Sequence, residues 1–395
     1  MVKAVKFASV CLIIVIITVC IFSFSDKYKV GVIKNNIECT IISKCNEDAR
    51  AIEVIDDNMY VAYPNSVKII SDDGKVKKLF EITEEIDDVT YLLGKIYVIC
   101  KNNIYEYNFE SGKVDVFLSD IPSGSRDIKH RIIAYNDRLL FTIPSETNSG
   151  IYNDNTIEEI ATFGDERIRS ASIYSINNET KEVKLFSTGI RGIKGMGVSS
   201  KGKIYAIFSG MNNKGIRPIE NDADYIYEVK EKLSYGWPNY SGGDPINSPR
   251  FAKEKLVEFL GEYKPLEIYK PILVSNTLGE LDELGVYMWD KILPKDSIIY
   301  VDKDDNKIEA IVDEKYRISL LKLIDNSDIR DIEVNEDKII ILDSGAKAIY
   351  CINAKSDSLK FNLSITILIY IFILGVSIII VVMLKKRKRK EKENE

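Results

Sequence analysis

Six times along its length the chain repeats one local pattern: a Gly or Asp turn residue followed by a short run of β-branched and aromatic residues. DNMYVAY begins at Asp57, GKIYVIC at Gly94, DRLLFTI at Asp137, GKIYAIF at Gly202, DSIIYVD at Asp296 and DKIIILD at Asp337. Most are preceded by a further apolar strand: ARAIEVI from Ala49, IDDVTYL from Ile86, RIIAY from Arg131, IKGMGVS from Ile193 and IRDIEVN from Ile329. Several are followed by a third, such as NSVKIIS from Asn65, NNIYEYN from Asn102 and KAIYCIN from Lys347. Strand, turn, strand, turn, strand is the grammar of a propeller blade, and a repeated supersecondary unit fixes the fold of the whole array. The reading is an all-β chain with a six-bladed β-propeller. A two-sheet sandwich is the rival, and repeats spread over the entire span count against it.

Two apolar stretches bracket the repeats. Residues 364–384, SITILIYIFILGVSIIIVVML, contain no charged side chain and are long enough to cross a hydrocarbon core of about 30 Å as a helix. A cluster of Lys and Arg follows at 385–390, and the positive-inside tendency sets that end in the cytoplasm. Residues 8–24 are apolar and preceded by Lys3 and Lys6, as in a cleaved secretory signal or an uncleaved signal anchor. Both versions export the middle of the chain. The expected organisation is a signal or anchor over 1–25, an extracytoplasmic propeller over 26–361, a transmembrane helix over 362–384 and a basic cytoplasmic tail over 385–395, with the protein in the cell membrane.

Charge narrows the partners. The net charge of −6 hides a tail, KKRKRKEKENE, that contributes +4, so the exported body is strongly acidic and nucleic acid is excluded as its partner. Cys39, Cys45, Cys100 and Cys351 lie in the exported part; they are open to a local Cys39–Cys45 bridge, to a Cys100–Cys351 bridge, or to remaining free thiols.

The longest gap between repeats, residues 209–295, holds the most unusual segment. Residues 217–251 read RPIENDADYIYEVKEKLSYGWPNYSGGDPINSPRF. An Asp-rich turn, a Tyr-rich strand, YGWP and a Gly-rich stretch in this order resemble the quinoprotein glucose/sorbosone dehydrogenase family. LSDIPSG from Leu118 with His130, PSETNSG from Pro144, STGIRGIKGMGVSSKGKIYAI from Ser187 and the closing IRDIEVNEDKIIILDSGAKAIYCI from Ile329 extend the resemblance over most of residues 45–355.

That resemblance implies a propeller able to hold pyrroloquinoline quinone (PQQ) and calcium, with a His as general base on a sugar hydroxyl. His130, the only His of the chain, takes the place of that base. Arg191, Arg217, Tyr235 and Trp237 become candidates for cofactor binding, through guanidinium–carboxylate pairing and aromatic stacking. Asp222 and Asp224 become candidate calcium ligands. The chain also departs from the family pattern. Gly192 stands where the family has an Asn on the quinone, Lys194 stands near the place of a small polar residue, SGMN at 209–212 replaces the calcium-loop residues, and PLEIYKPILVSNTLGELDELG at 265–285 has no clear counterpart.

Two functions follow from different classes. One is a membrane-anchored module with a degenerate cofactor site that binds carbohydrate, such as a cell-wall glycan, or an envelope partner; the other is a PQQ- and calcium-dependent sugar dehydrogenase. A hydrolase is disfavoured by the single His and the lack of a Gly-x-Ser-x-Gly elbow.

Overall fold

In the computed structural model each Gly- or Asp-led run is the second strand of an antiparallel sheet: Asn58–Tyr63, Lys95–Cys100, Arg138–Ile143, Ile204–Phe208, Ser297–Asp302 and Lys338–Asp343. These strands are buried almost continuously rather than on alternate residues, because a blade is covered on both faces by its neighbours. The hairpins before them use the turn chemistry of the repeat. Leu93 and Gly94 both take positive φ, 48° and 77°, as a two-residue turn matched to strand twist requires.

The structure describes residues 30–71, 74–125, 127–148, 163–164, 167–256 and 269–355, with seven helical positions between 373 and 387. Of the two units into which the chain divides, Val30–Ala354 forms the propeller. Its blades open with innermost strands Ala51–Ile55 (blade I), Ile86–Leu92 (II), Ile132–Tyr135 (III), Ile193–Val198 (IV), Leu281–Tyr287 (V) and Ile329–Asn335 (VI). Each innermost strand touches the next, and the sixth touches the first. Six apolar clusters fill the six seams. Between blades I and II, for example, Ala51, Tyr60 and Val67 meet Ile86, Val89 and Ile96, and between VI and I, Leu342 and Ile349 meet Ile52 and Val61.

The ring is closed by a strand from the other end of the chain. Ile37–Lys44 pairs antiparallel with Ala348–Ala354 and is the outermost strand of blade VI. Just before it, Gly31–Val32 adds to the edge of blade V through Lys322 and Leu321.

The expected sheets are therefore present, and the sandwich is not. Among the described residues no helix is long and apolar enough to cross a membrane; the expected spans at 8–24 and 364–384 lie outside them apart from isolated helical positions such as Ile373 and Ser377. The four described cysteines are free thiols, so neither candidate bridge is formed.

Candidate functional site

Strands alternate in direction within a blade, so the connections between blades and the loops between second and third strands emerge at the same end of the ring. At this mouth gather loop 121–131, residues 144–148, residues 189–192, loop 209–224, and the part of the blade IV insertion that holds Tyr235 and Trp237. Leu233–Ser234 runs parallel to the last strand of blade III and carries the insertion there.

His130 is 1% exposed. Its Nδ1 lies 2.9 Å from Asp87 Oδ2 and its Nε2 lies 3.1 Å from the Pro122 carbonyl. Each ring nitrogen is thus held within hydrogen-bond distance of a protein oxygen. The loop over it is tight: a Cβ on Gly124, whose φ is +62°, would lie 2.8 Å from Pro144 Cγ and 3.2 Å from His130 Nε2.

Beside it, Gly192 packs against the same loop. A Cβ at Gly192 would stand 2.7 Å from Ile128 Cδ1, 3.0 Å from Ile128 Cγ2 and 3.3 Å from Pro144 Cβ. Where the resembled family carries an Asn, this chain puts the buried side chain of Ile128. Arg191, the preceding residue, donates from Nη1 to Ser209 Oγ at 3.2 Å and to the Gly210 carbonyl at 2.9 Å. Burial lowers its pKa, and Asp127, Asp222 and Asp224 oppose that only in part.

The two candidate metal ligands are saturated by protein donors. Asp222 accepts from the amides of Met211 and Ala223, from Ser241 Oγ at 3.0 Å and from the Tyr225 hydroxyl. Asp224 Oδ2 accepts from Lys194 Nζ at 2.8 Å and from the amides of Gly279 at 2.7 Å and Leu281 at 3.2 Å. Burial raises the pKa of Asp224 against the pull of Lys194. Among the described residues no group of three or more His, Cys, Asp or Glu is placed to hold a metal.

Arg217 ties loops together, donating to the carbonyls of Asn148, Pro238 and Lys255; burial lowers its pKa to about 10. The Tyr235 hydroxyl donates to the Glu228 carbonyl at 2.6 Å, and its ring meets Phe208 edge-on with centroids 4.8 Å apart. Trp237 is 3% exposed and packs with Met211, Ile219, Ile246 and Phe251 in a small core under the insertion. The structure thus brings Arg191, Tyr235 and Trp237 together around one cavity of about 20 Å³. His130 is not among the residues that line it and sits against Pro122 and Asp87.

The site next to Gly192 is filled by Ile128, His130 is engaged on both nitrogens, and both aspartates are satisfied. The cavity that Arg191, Tyr235 and Trp237 share is far below the roughly 300–1,000 Å³ of a small-molecule pocket. The residues present do not fit PQQ and calcium in this arrangement.

A second cluster lies deeper, on the innermost strands. Asp88, Arg131, Glu283, Asp331 and Glu333 line a cavity of about 50 Å³. Arg131 Nη2 pairs with Glu283 Oε1. Three acids also latch one blade to the next: Asp331 accepts from the Ile52 amide at 2.8 Å, Glu53 from Tyr91 at 2.9 Å and Asp88 from Ile132 at 3.0 Å. Burial pushes Glu53 and Glu283 up to about 8 and Asp88 up to about 7, and raises Asp331 and Glu333 as well. Arg131 stays charged because Glu283, Asp88 and Asp331 outweigh its own burial. Sequence reading passed over this cluster. Its signal was present: an acid recurs inside the apolar inner strands AIEVI, IDDVTYL, LDELGVY and IRDIEVN.

No protein-family model matches the chain, and no curated protein does. Solved structures do match. The PQQ-bound form of an aldose sugar dehydrogenase from Streptomyces coelicolor superposes with a TM-score of 0.57 at 11% identity, covering 82% of this chain and 99% of that one. The holo form of the pyranose dehydrogenase PQQ domain from Coprinopsis cinerea gives 0.59 at 10% identity, covering 82% and 97%. A calcium structure of a carbohydrate-active enzyme of family AA12 from Trichoderma reesei gives 0.60 at 13% identity, covering 83% and 98%. At such identities the likeness shows the fold, a divergent copy of the propeller that these sugar dehydrogenases use.

Proposed function

We propose that this chain is a binding propeller on a sugar-dehydrogenase scaffold. It is held in the cell membrane by residues 364–384, with the propeller outside, and recognises carbohydrate, such as a cell-wall glycan, or an envelope partner, without oxidising it. The observation that carries this reading is the side chain of Ile128 packed against Gly192, which takes the space a polar contact to a quinone would need. The engaged ring of His130 supports it.

The test is calorimetric titration of the full-length protein in detergent with PQQ in the presence of calcium. The expected result is no heat of binding at cofactor concentrations well above micromolar. Tight, calcium-dependent binding near one per chain would overturn the reading. It would restore the alternative, a PQQ- and calcium-dependent dehydrogenase, which draws its support from the PQQ-bound neighbours. In that case His130→Asn abolishes dye-linked sugar oxidation.

A further inference from the structure

We propose that the outer rim of blades V and VI, built from the two strands that open the propeller, rests on the lipid surface. The inference rests on the membrane reading above and names the face that meets the bilayer, which that reading leaves open. Val32 and Ile33 are each 44% exposed, Ile41 is 44% exposed and Ile42 is 42% exposed. Gly31–Val32 and Ile37–Lys44 are the outermost strands of their sheets and contact each other, so these four large apolar side chains share one stretch of rim. Singly exposed apolar residues are ordinary on a protein surface, whereas a concentration of them marks a place of contact.

Where the chain leaves the propeller argues for lipid as the occupant. Ala354 pairs with Ile37, the first residue of the rim strand, and the apolar run 364–384 begins ten positions after it. Ten residues reach at most about 35 Å. On the other side, the apolar run 8–24 ends six positions before Val30, a reach of at most about 20 Å. Both links depart from this one edge, so a bilayer held by either lies within reach of it. Charge agrees: Lys34 and Lys44 flank the apolar residues, and Lys34 Nζ donates to the neutral Asn36 side chain at 2.5 Å. Apolar side chains bordered by lysines suit an interface of acyl chains and anionic headgroups. A second copy of the chain is the rival occupant. Ile42 is the extra residue of a bulge between Ile41 and Ser43, and a bulge disrupts the regular edge that strand-to-strand pairing needs.

The experiment reconstitutes the full-length protein in phosphatidylcholine–phosphatidylglycerol vesicles and checks by flotation that it travels with lipid. Ile33→Trp and Ile42→Trp place a probe on each rim strand at exposed positions, where a larger side chain meets no core. Val116→Trp is the control, because Val116 is 49% exposed on Lys113–Leu118, the outermost strand of blade II. With the wild-type emission subtracted, both rim tryptophans should emit further to the blue than the control and be quenched by lipids brominated near the headgroup end of the acyl chain, as side chains seated about 5–10 Å into the interface are. Protein that does not float defeats the membrane reading and this proposal with it. Protein that floats while the rim tryptophans match Val116→Trp overturns the rim contact alone. A blue shift that bromolipid does not quench and that fades on dilution of protein in lipid assigns the rim to a second copy and overturns the proposal as well.

Discussion

Replacing Arg131 by Met should destabilise the propeller strongly at pH 8 and weakly at pH 5. Arg131 is 6% exposed and its carboxylate partner Glu283 is 4% exposed. Removing one partner of a buried pair leaves an uncompensated charge, at a cost of roughly 3–5 kcal/mol. Met keeps the unbranched stem in place, so packing loss is small. The pH dependence follows from the direction of the carboxyl shifts. Their folded-state values are raised, with Glu53 and Glu283 near 8 and Asp88 near 7. Stability from the protonated acids is therefore fully present below the unfolded carboxyl range, and is lost as pH rises through about 7–8. At pH 5 Glu283 is protonated and needs no cation, and the substitution then removes a buried guanidinium that has itself lost its carboxylate partner, so the loss is far smaller than at pH 8. Urea unfolding at the two pH values measures this, with the m-value held as a check that the same surface is exposed. An equal loss at pH 5 and pH 8 would refute the account of this inner-strand cavity as lined by an arginine-centred cluster of acids with raised pKa values.

Gly192→Asn should lower stability by about 1–3 kcal/mol through overpacking against Ile128, and Ile128→Ala should relieve it, giving a coupling above ~0.5 kcal/mol in a double-mutant cycle; strict additivity would show that the two side chains do not compete for space. Asp224→Asn should cost about 3 kcal/mol or more in urea unfolding, because it strips Lys194 of its buried partner, and a change near zero would remove the pair from the structural account. Burial pushes the thiols of Cys39 and Cys45 up to about 12 and raises those of Cys100 and Cys351, so a disulfide reagent at pH 8 should label none of the four until the propeller unfolds. Fast labelling of Cys45, Cys100 or Cys351 in the native protein would contradict their burial.

The blades were readable in sequence because each central strand combines two local signals, a turn residue and an unbroken β-branched run. All six such runs became second strands. The closing strand Ile37–Lys44 was not readable as such, since its partner, Ala348–Ala354, lies at the far end of the propeller and pairing across that distance has no local signature. For the expected site residues, sequence gives types and not an arrangement. Arg191, Tyr235 and Trp237 do converge, while Asp222 and Asp224 serve amides, hydroxyls and a lysine. Residue type permits metal binding or hydrogen-bond service equally, and only the positions of the donors decide. Ile128 illustrates the same limit: nothing about an isoleucine in a loop announces that it fills the space beside a glycine sixty-odd positions on.

The order in which the chain is made gives the closing strand a further consequence. Ile37–Lys44 emerges early and its partner is the last strand of the propeller, so throughout synthesis the early strand is an orphan edge that carries Ile41 and Ile42, exposed even in the finished ring. Unpaired apolar edges are the places where chains join the wrong neighbour. A ribosome stalled before residue 348 therefore leaves an open horseshoe rather than a smaller propeller. Quality control of this fold needs to sense only one thing, whether the two ends have met.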